Sequence, residues 1–127
     1  MMKARFFMLL VVTGIFVLGC VGKRLDLARD YDQAIHDYNK VIEVNPRYAE
    51  AYNNRGIAYF YKGDYDQAIR DSTKAIEIGP RYAGAYYNRG AAYAKKGEND
   101  QAIRDLKKAC ELGLEAACRL LRGLQPQ

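Results

Sequence analysis

One histidine, His36, and three cysteines, Cys20, Cys110 and Cys118, are the side chains of this 127-residue chain best suited to metal or nucleophilic chemistry. Their placement assembles no such site. Zinc sites built on paired histidines need a second imidazole, and a cysteine nucleophile needs a base aimed at it. His36 stands where Arg70 and Arg104 stand in two later, similar segments. Those are exposed helix positions, so His36 reads as solvated. Cys110 and Cys118 have seven residues between them, unlike a CxxC redox pair. Two readings of them stay open, a link across a helical hairpin or two small buried apolar groups. No glycine-rich phosphate loop joins a strand to a helix. The recurring aspartates mark helix starts, near the positive end of the dipole. We therefore expect no catalytic residue, no metal and no cofactor.

Arg55 and Arg89 are the next candidates, because a guanidinium holds a carboxylate well. Asp71 and Asp105 follow them 16 residues later at matching places. A charge near a helix interface is normally paired. Internal Arg55/Asp71 and Arg89/Asp105 pairs are thus expected, which makes the arginines poor site residues.

The elements that position these groups follow from an internal period. Residues 49–82 align without gaps on residues 83–116, identical at 20 of 34 positions, and residues 31–48 match 65–82 at 12 of 18. Asp32-Gln33-Ala34-Ile35, Asp66-Gln67-Ala68-Ile69 and Asp100-Gln101-Ala102-Ile103 mark the register. A 34-residue period signals a stacked array, here two full units preceded by half of another. Each unit divides into two amphipathic helices. In the first, Ala51, Tyr52, Arg55, Gly56 and Tyr59 recur at spacings of three and four, and Gly63 ends it. The second starts near Asp66, carries Ala68, Ile69, Ser72, Ala75 and Ile76, and stops before Gly79-Pro80. Gly56, Ala68 and Ala75, with Gly90, Ala102 and Ala109 one period on, let helix backbones approach closely. Tyr52, Tyr59, Tyr86 and Tyr93 are expected to be buried between helices, which accounts for much of the excess of 11 tyrosines.

These residues resemble the tetratricopeptide-repeat (TPR) family: an aromatic at the fourth position of the unit, glycine at the eighth, tyrosine at the eleventh, alanine at the twentieth and twenty-seventh, and proline at the thirty-second. The resemblance implies an all-α fold, a TPR solenoid of antiparallel helix pairs over residues 31–123. Leu114 replaces the closing proline of the last unit, so Gly113 is expected to end that helix and a capping helix to run over about Glu115 to Arg122. Residues 124–127 are a tail. In this family the first helix of each unit lines a concave face. The resemblance places Asn53, Asn54, Tyr61, Tyr87, Asn88 and Lys95 there as partner-binding candidates, with Glu50, Ile57, Gly84 and Ala91 beside them. An asparagine offers a donor and an acceptor to an extended backbone, and a tyrosine a rigid face with a polar tip. Asn54 and Asn88 fit asparagine positions of the family's carboxylate-clamp subset. Of that subset's basic partners only Lys95 has a counterpart, so the specificity is not carried over.

The segment around Cys110 and Cys118 is similar to the cysteine-rich Sel1-like repeats of secreted bacterial proteins, in which cysteines at this spacing staple two helices. The resemblance implies a Cys110–Cys118 disulfide, worth roughly 2 to 3 kcal/mol if unstrained.

The first residues read as an address. Lys3 and Arg5 precede an apolar run from Phe6 to Leu18 that as a helix would rise only about 20 Å, short of the roughly 30 Å hydrocarbon core. Val17-Leu18-Gly19-Cys20 resembles a bacterial lipobox. That implies a signal peptide over residues 1–19, acylation at Cys20, and a linker or helix stub over 20–30. The expected location is the bacterial envelope, at the outer membrane and facing the periplasm or exterior. The net charge of +5 is modest and evenly spread, which argues against nucleic acid. The expected function is a lipid-anchored scaffold binding a protein or peptide partner, with homo-oligomers formable through the open front edge. Its rivals are an unlipidated Sel1-like module, secreted or periplasmic, and, with nothing in its favour, an envelope enzyme.

Overall fold

The computed structural model describes residues 28–124. The expectations for the signal segment, for acylation at Cys20 and for residues 125–127 lie outside them. Among the described residues the chain is all helical: α1 (28–44), α2 (Ala49–Lys62), α3 (Tyr65–Ile78), α4 (Ala83–Lys95), α5 (Asn99–Glu111) and α6 (Glu115–Leu124). The helix α1 runs unbroken through residues 28–30, the places at which α2 ends and the chain turns at Lys62-Gly63-Asp64 one period later.

α2 and α3 form one antiparallel pair and α4 and α5 the next; α4 packs on α3, α6 on α5, and α4 lies beside α2. α1 supplies the half unit in front. Lys62 pairs with Asp32 across that junction, and Lys96 repeats the bond to Asp66 one period later at 2.7 Å. The turns within the α2/α3 and α4/α5 pairs use glycines with positive φ, Gly63 and Gly97, a conformation other residues adopt at a cost, and the turn from α5 to α6 uses Gly113 in the same way. α3 is also capped at its start, where Asp64 accepts a 3.1 Å bond from the Gln67 amide.

The core is built from small residues. Ala51, Ala68, Ala75, Ala85, Ala92 and Ala102 are almost wholly buried. Close approach is tightest at two glycines. A Cβ on Gly56 would stand 3.3 Å from the Ala68 carbonyl oxygen, and one on Gly90 would stand 3.2 Å from that of Ala102. The tyrosines between these small residues are half-buried, which corrects the expectation of full burial. For two of them the hydroxyl explains it: Tyr52 and Tyr86 keep a polar tip at the helix end, each donating at 3.1 Å to a proline carbonyl, of Pro46 and Pro80.

Both arginine pairs form as expected, each with two parallel bonds: Arg55 to Asp71 at 2.8 and 2.7 Å, Arg89 to Asp105 at 2.8 Å twice. The hydrogen bond that each guanidinium donates to its carboxylate is the main cause raising its pKa further. Each arginine also reaches back to the preceding unit, Arg55 to Asn39 at 2.7 Å and Arg89 to Thr73 at 3.2 Å.

Helix α6 is more than a cap of unrelated design. The amides of Ala117 and Cys118 both bond to the Leu114 carbonyl, as those of Ala85 and Tyr86 both bond to that of Tyr82. Ala117 and Ala85 are alike in being fully buried. α6 therefore starts as the first helix of a unit does, two residues early in the 34-residue frame because α5 ends one residue sooner than α3 and the loop after it is one residue shorter, although its turn, with Gly113 at positive φ and the Leu114 amide on the Ala109 carbonyl, is the kind used within a unit. In that register Cys118 takes the place of Tyr86, Arg119 of Tyr87, Leu120 of Asn88 and Leu121 of Arg89. Leucine instead packs on the cluster of Leu106, Ala109 and Ala117. The sulfur atoms of Cys110 and Cys118 lie at bonding distance, 2.04 Å, with the Cα atoms 4.8 Å apart.

Candidate functional site

Since α2 and α4 lie side by side with α3 behind them, the furrow between them is walled by first helices and floored by a second. Its cavity volume is about 290 Å³. Ile57, Phe60 and Tyr61 form one wall, Tyr87, Asn88 and Ala91 the other, and Gly56 and Ser72 the floor. Ser72 stands where an aromatic is common in the family. With only a hydroxymethyl group on the floor, the furrow stays open. No charged side chain lines it.

The aromatic wall is pre-arranged. Tyr61 stacks on Tyr31 with ring centroids 5.4 Å apart and nearly parallel planes, and Phe60 meets both Tyr61 and Tyr65 edge to face. Tyr61 is nonetheless 62 % exposed, so one face remains for a ligand. Across the furrow Tyr87 leans on the C-terminal cluster of Leu106, Ala109 and Ala117. That contact ties the wall to the core stapled by α6.

Polar order runs through an amide relay. Asn88 donates to the Asn53 side-chain oxygen at 2.9 Å, and Asn53 donates to the Tyr82 hydroxyl at 3.1 Å. Burial is the main cause raising the Tyr82 pKa, keeping its hydroxyl protonated. Asn88 thus keeps its own carbonyl oxygen for a ligand.

The six residues expected to bind a partner therefore separate. Tyr61, Tyr87 and Asn88 meet in the furrow. Asn53 is a correction: at 5 % exposure and bonded at both ends of its amide, it orients Asn88 instead of touching a ligand. Asn54 is half-buried and Lys95 exposed, and neither lines the furrow. Sequence reasoning omitted Phe60 and Ser72. Phe60 precedes Tyr61 at the closed end of α2, and only the sequence of that wall, Phe60-Tyr61, hinted that two adjacent aromatics share one opening.

Among the described residues no group of histidine, cysteine, aspartate or glutamate could hold a metal ion, and no helix is long and apolar enough to cross a membrane.

No curated protein matches the chain. The family profile described as "TPR repeat" matches residues 30–62 and 58–97, and that described as "Tetratricopeptide repeat" matches residues 83–112. Among solved structures, the first TPR of Spaghetti (RPAP3), bound to the HSP90 peptide SRMEEVD, is 30 % identical with a TM-score of 0.71, covering 74 % of this chain and 76 % of that one. The second TPR domain of human RPAP3, in complex with the HSP70 peptide SGPTIEEVD, is 28 % identical with a TM-score of 0.69, covering 76 % and 82 %. MamA is 36 % identical with a TM-score of 0.64; the match covers 69 % of this chain and 52 % of MamA. Profile matches across the whole of α2 to α5, joined to the 34-residue register and the paired helices, place this chain in the tetratricopeptide-repeat family.

Proposed function

We propose that this chain is a protein–protein interaction scaffold that holds an extended segment of a partner in the furrow between α2 and α4. The observation that carries the reading is the furrow itself, open, uncharged, walled by Phe60, Tyr61 and Tyr87 and supplied with one oriented amide, Asn88. Two of its structural neighbours bear peptides, which supports the same use here. The scaffold has no chemistry of its own. It is held at the bacterial envelope, at the outer membrane, by lipid on Cys20 after loss of residues 1–19, and the Cys110–Cys118 bridge forms there because that compartment is oxidising.

Capture and location are tested separately. A photo-crosslinking amino acid in place of Tyr61 should capture a discrete partner from intact envelope. Ala91→Arg, which fills the furrow, should weaken capture at least tenfold, equivalent to about 1.4 kcal/mol. Undiminished capture by Ala91→Arg puts binding elsewhere. Mass spectrometry should find a chain beginning at Cys20 with added acyl mass, and Cys20→Ala should abolish it. An unacylated Cys20 in a released protein would favour the secreted Sel1-like module instead.

A further inference from the structure

Helix α3 lies between two first helices, α2 of its own unit and α4 of the next. α1 is also a second helix, but among the described residues it meets only the first helix that follows it, through Asp32 to Lys62, Asn39 to Arg55 and Tyr31 to Tyr61. The stripe of α3 that carries Ala68, Asp71, Ser72 and Ala75 is at most 3 % exposed, and Gly56 of α2 packs on its first three residues. One period earlier the same stripe of α1 is Ala34, Asp37, Tyr38 and Val41. Ala34, Tyr38 and Val41 are only half-buried, and Asp37 is exposed. Val44 continues the stripe at 88 % exposure.

Asp37 stands where Asp71 and Asp105 stand, and each of those accepts two bonds from an arginine 16 residues earlier. For Asp37 that place holds Val21, which has no donor to offer. Among the described residues Asp37 accepts one exposed bond, from Gln33 at 2.9 Å, and makes no ion pair. Lys40, three residues on, is no substitute for an arginine: its counterpart Lys74 turns to Glu77 at 3.5 Å, although Asp71 is as near in sequence. Nor does the chain reverse in front of α1, which stays helical at 28–30 where Lys62-Gly63-Asp64 turn α2 back onto α3. A second copy is no better suited. Its arginine-bearing helices α2 and α4 are committed to Asp71 and Asp105, its α6 has Leu121 at the arginine place, and two α1 stripes set face to face would oppose acid to acid.

We propose that the open stripe of α1 is a second interaction surface, filled by an amphipathic helix of another protein in which an arginine is followed by a glycine. The arginine holds Asp37 with both prongs, as Arg55 holds Asp71. Glycine comes next because a Cβ at Gly56 would stand 3.2 Å from the Asp71 Cβ and 3.3 Å from the Ala68 carbonyl oxygen, and Asp37 and Ala34 present the same groups. Tyr38 is larger than Ser72, yet Leu106 at the same place still admits α4 at Gly90. Apolar side chains of the incoming helix cover Tyr38, Val41 and Val44. None of these residues lines the α2/α4 furrow, so both surfaces can be occupied at once.

A displayed library of 14-residue peptides built on the α2 sequence and randomised at the places of Arg55 and Gly56, selected on the full chain in detergent micelles, tests this. Wild type should enrich arginine followed by glycine. Asp37→Arg, a change at an exposed site, should enrich Asp or Glu in place of the arginine, and should bind the peptide selected on wild type about tenfold or more weakly. That peptide should still bind Ala91→Arg, in which the furrow is filled, and a photo-crosslinking amino acid in place of Val44 should capture it. Enrichment without arginine, an arginine preference that survives Asp37→Arg, loss of binding in Ala91→Arg, or no enrichment overturns the proposal. Crosslinks from position 44 to residues 15–27 of the same chain, or self-association that Asp37→Arg abolishes, would put this protein's own residues on the stripe and overturn it as well.

Discussion

Asn88 on α4 donates a 2.9 Å hydrogen bond to Asn53 on α2, 35 residues earlier in the chain, and so fixes a furrow residue by means of one that no ligand reaches. Removing the hidden partner should be felt at both levels. In Asn53→Ala the Asn88 amide and the Tyr82 oxygen lose their partner, at a cost of about 1 to 3 kcal/mol in urea unfolding. Peptide affinity should fall as well. Asn54→Ala, next in sequence but free of such bonds, should change stability by no more than about 0.5 kcal/mol.

The buried arginine pairs should show the asymmetry of buried charge. Asp71→Ala leaves the Arg55 guanidinium, whose side chain is 17 % exposed, without its carboxylate and should destabilise by about 3 to 5 kcal/mol. Arg55→Leu with Asp71→Leu removes both charges and should unfold at a denaturant midpoint much closer to wild type. Arg55→Lys should not rescue the pair, because an ammonium cannot make the two-pronged contact.

Glycine replacements should differ in sign. Alanine is the better helix former by up to about 1 kcal/mol. At Gly56 the added methyl meets the Ala68 carbonyl oxygen at 3.3 Å and the Asp71 Cβ at 3.2 Å, so overpacking of about 1 to 3 kcal/mol outweighs that gain. A methyl added at Gly123 in α6 would meet nothing within 4 Å, so Gly123→Ala should stabilise slightly. Thermal melts of the two variants should move in opposite directions.

The Cys110–Cys118 bridge should be recovered as a linked pair in non-reducing peptide maps of envelope material. Reduction should cost roughly 2 to 3 kcal/mol. Hydrogen exchange should show α6 loosening first, since Ala117 is its one fully buried residue and the bridge joins it to α5. The Tyr87 wall should then lose its support, and peptide affinity should drop on reduction even where the other helices remain folded.

The helices and their pairing were legible because the period repeats apolar and small residues at fixed places, and Gly56, Ala68 and Ala75 say which faces meet. Both arginine pairs could be read for the same reason, a constant interval of 16 residues. The furrow was harder. Asn53 and Asn54 are chemically identical neighbours, and only the Tyr82 hydroxyl, contributed from the next loop, decides that the first turns inward. Hydrophobic spacing alone buries Tyr52 and Tyr86 whole, because it does not reveal where a hydroxyl ends. Helix α6 escaped recognition as a repeat element because a two-residue deletion shifts it out of the 34-residue frame, and only its backbone bonds restore the alignment.

That same shift gives the array a terminus written into its sequence. Leu121 replaces the arginine that would clasp a following helix, and Lys107 stands where Asn39 and Thr73 accept such an arginine from the next unit. Donor and acceptor have been withdrawn together. Grafting another TPR unit after Leu124 would therefore append a domain on a tether instead of lengthening the solenoid, unless the arginine, its acceptor and the two residues missing from the α5–α6 junction were all restored.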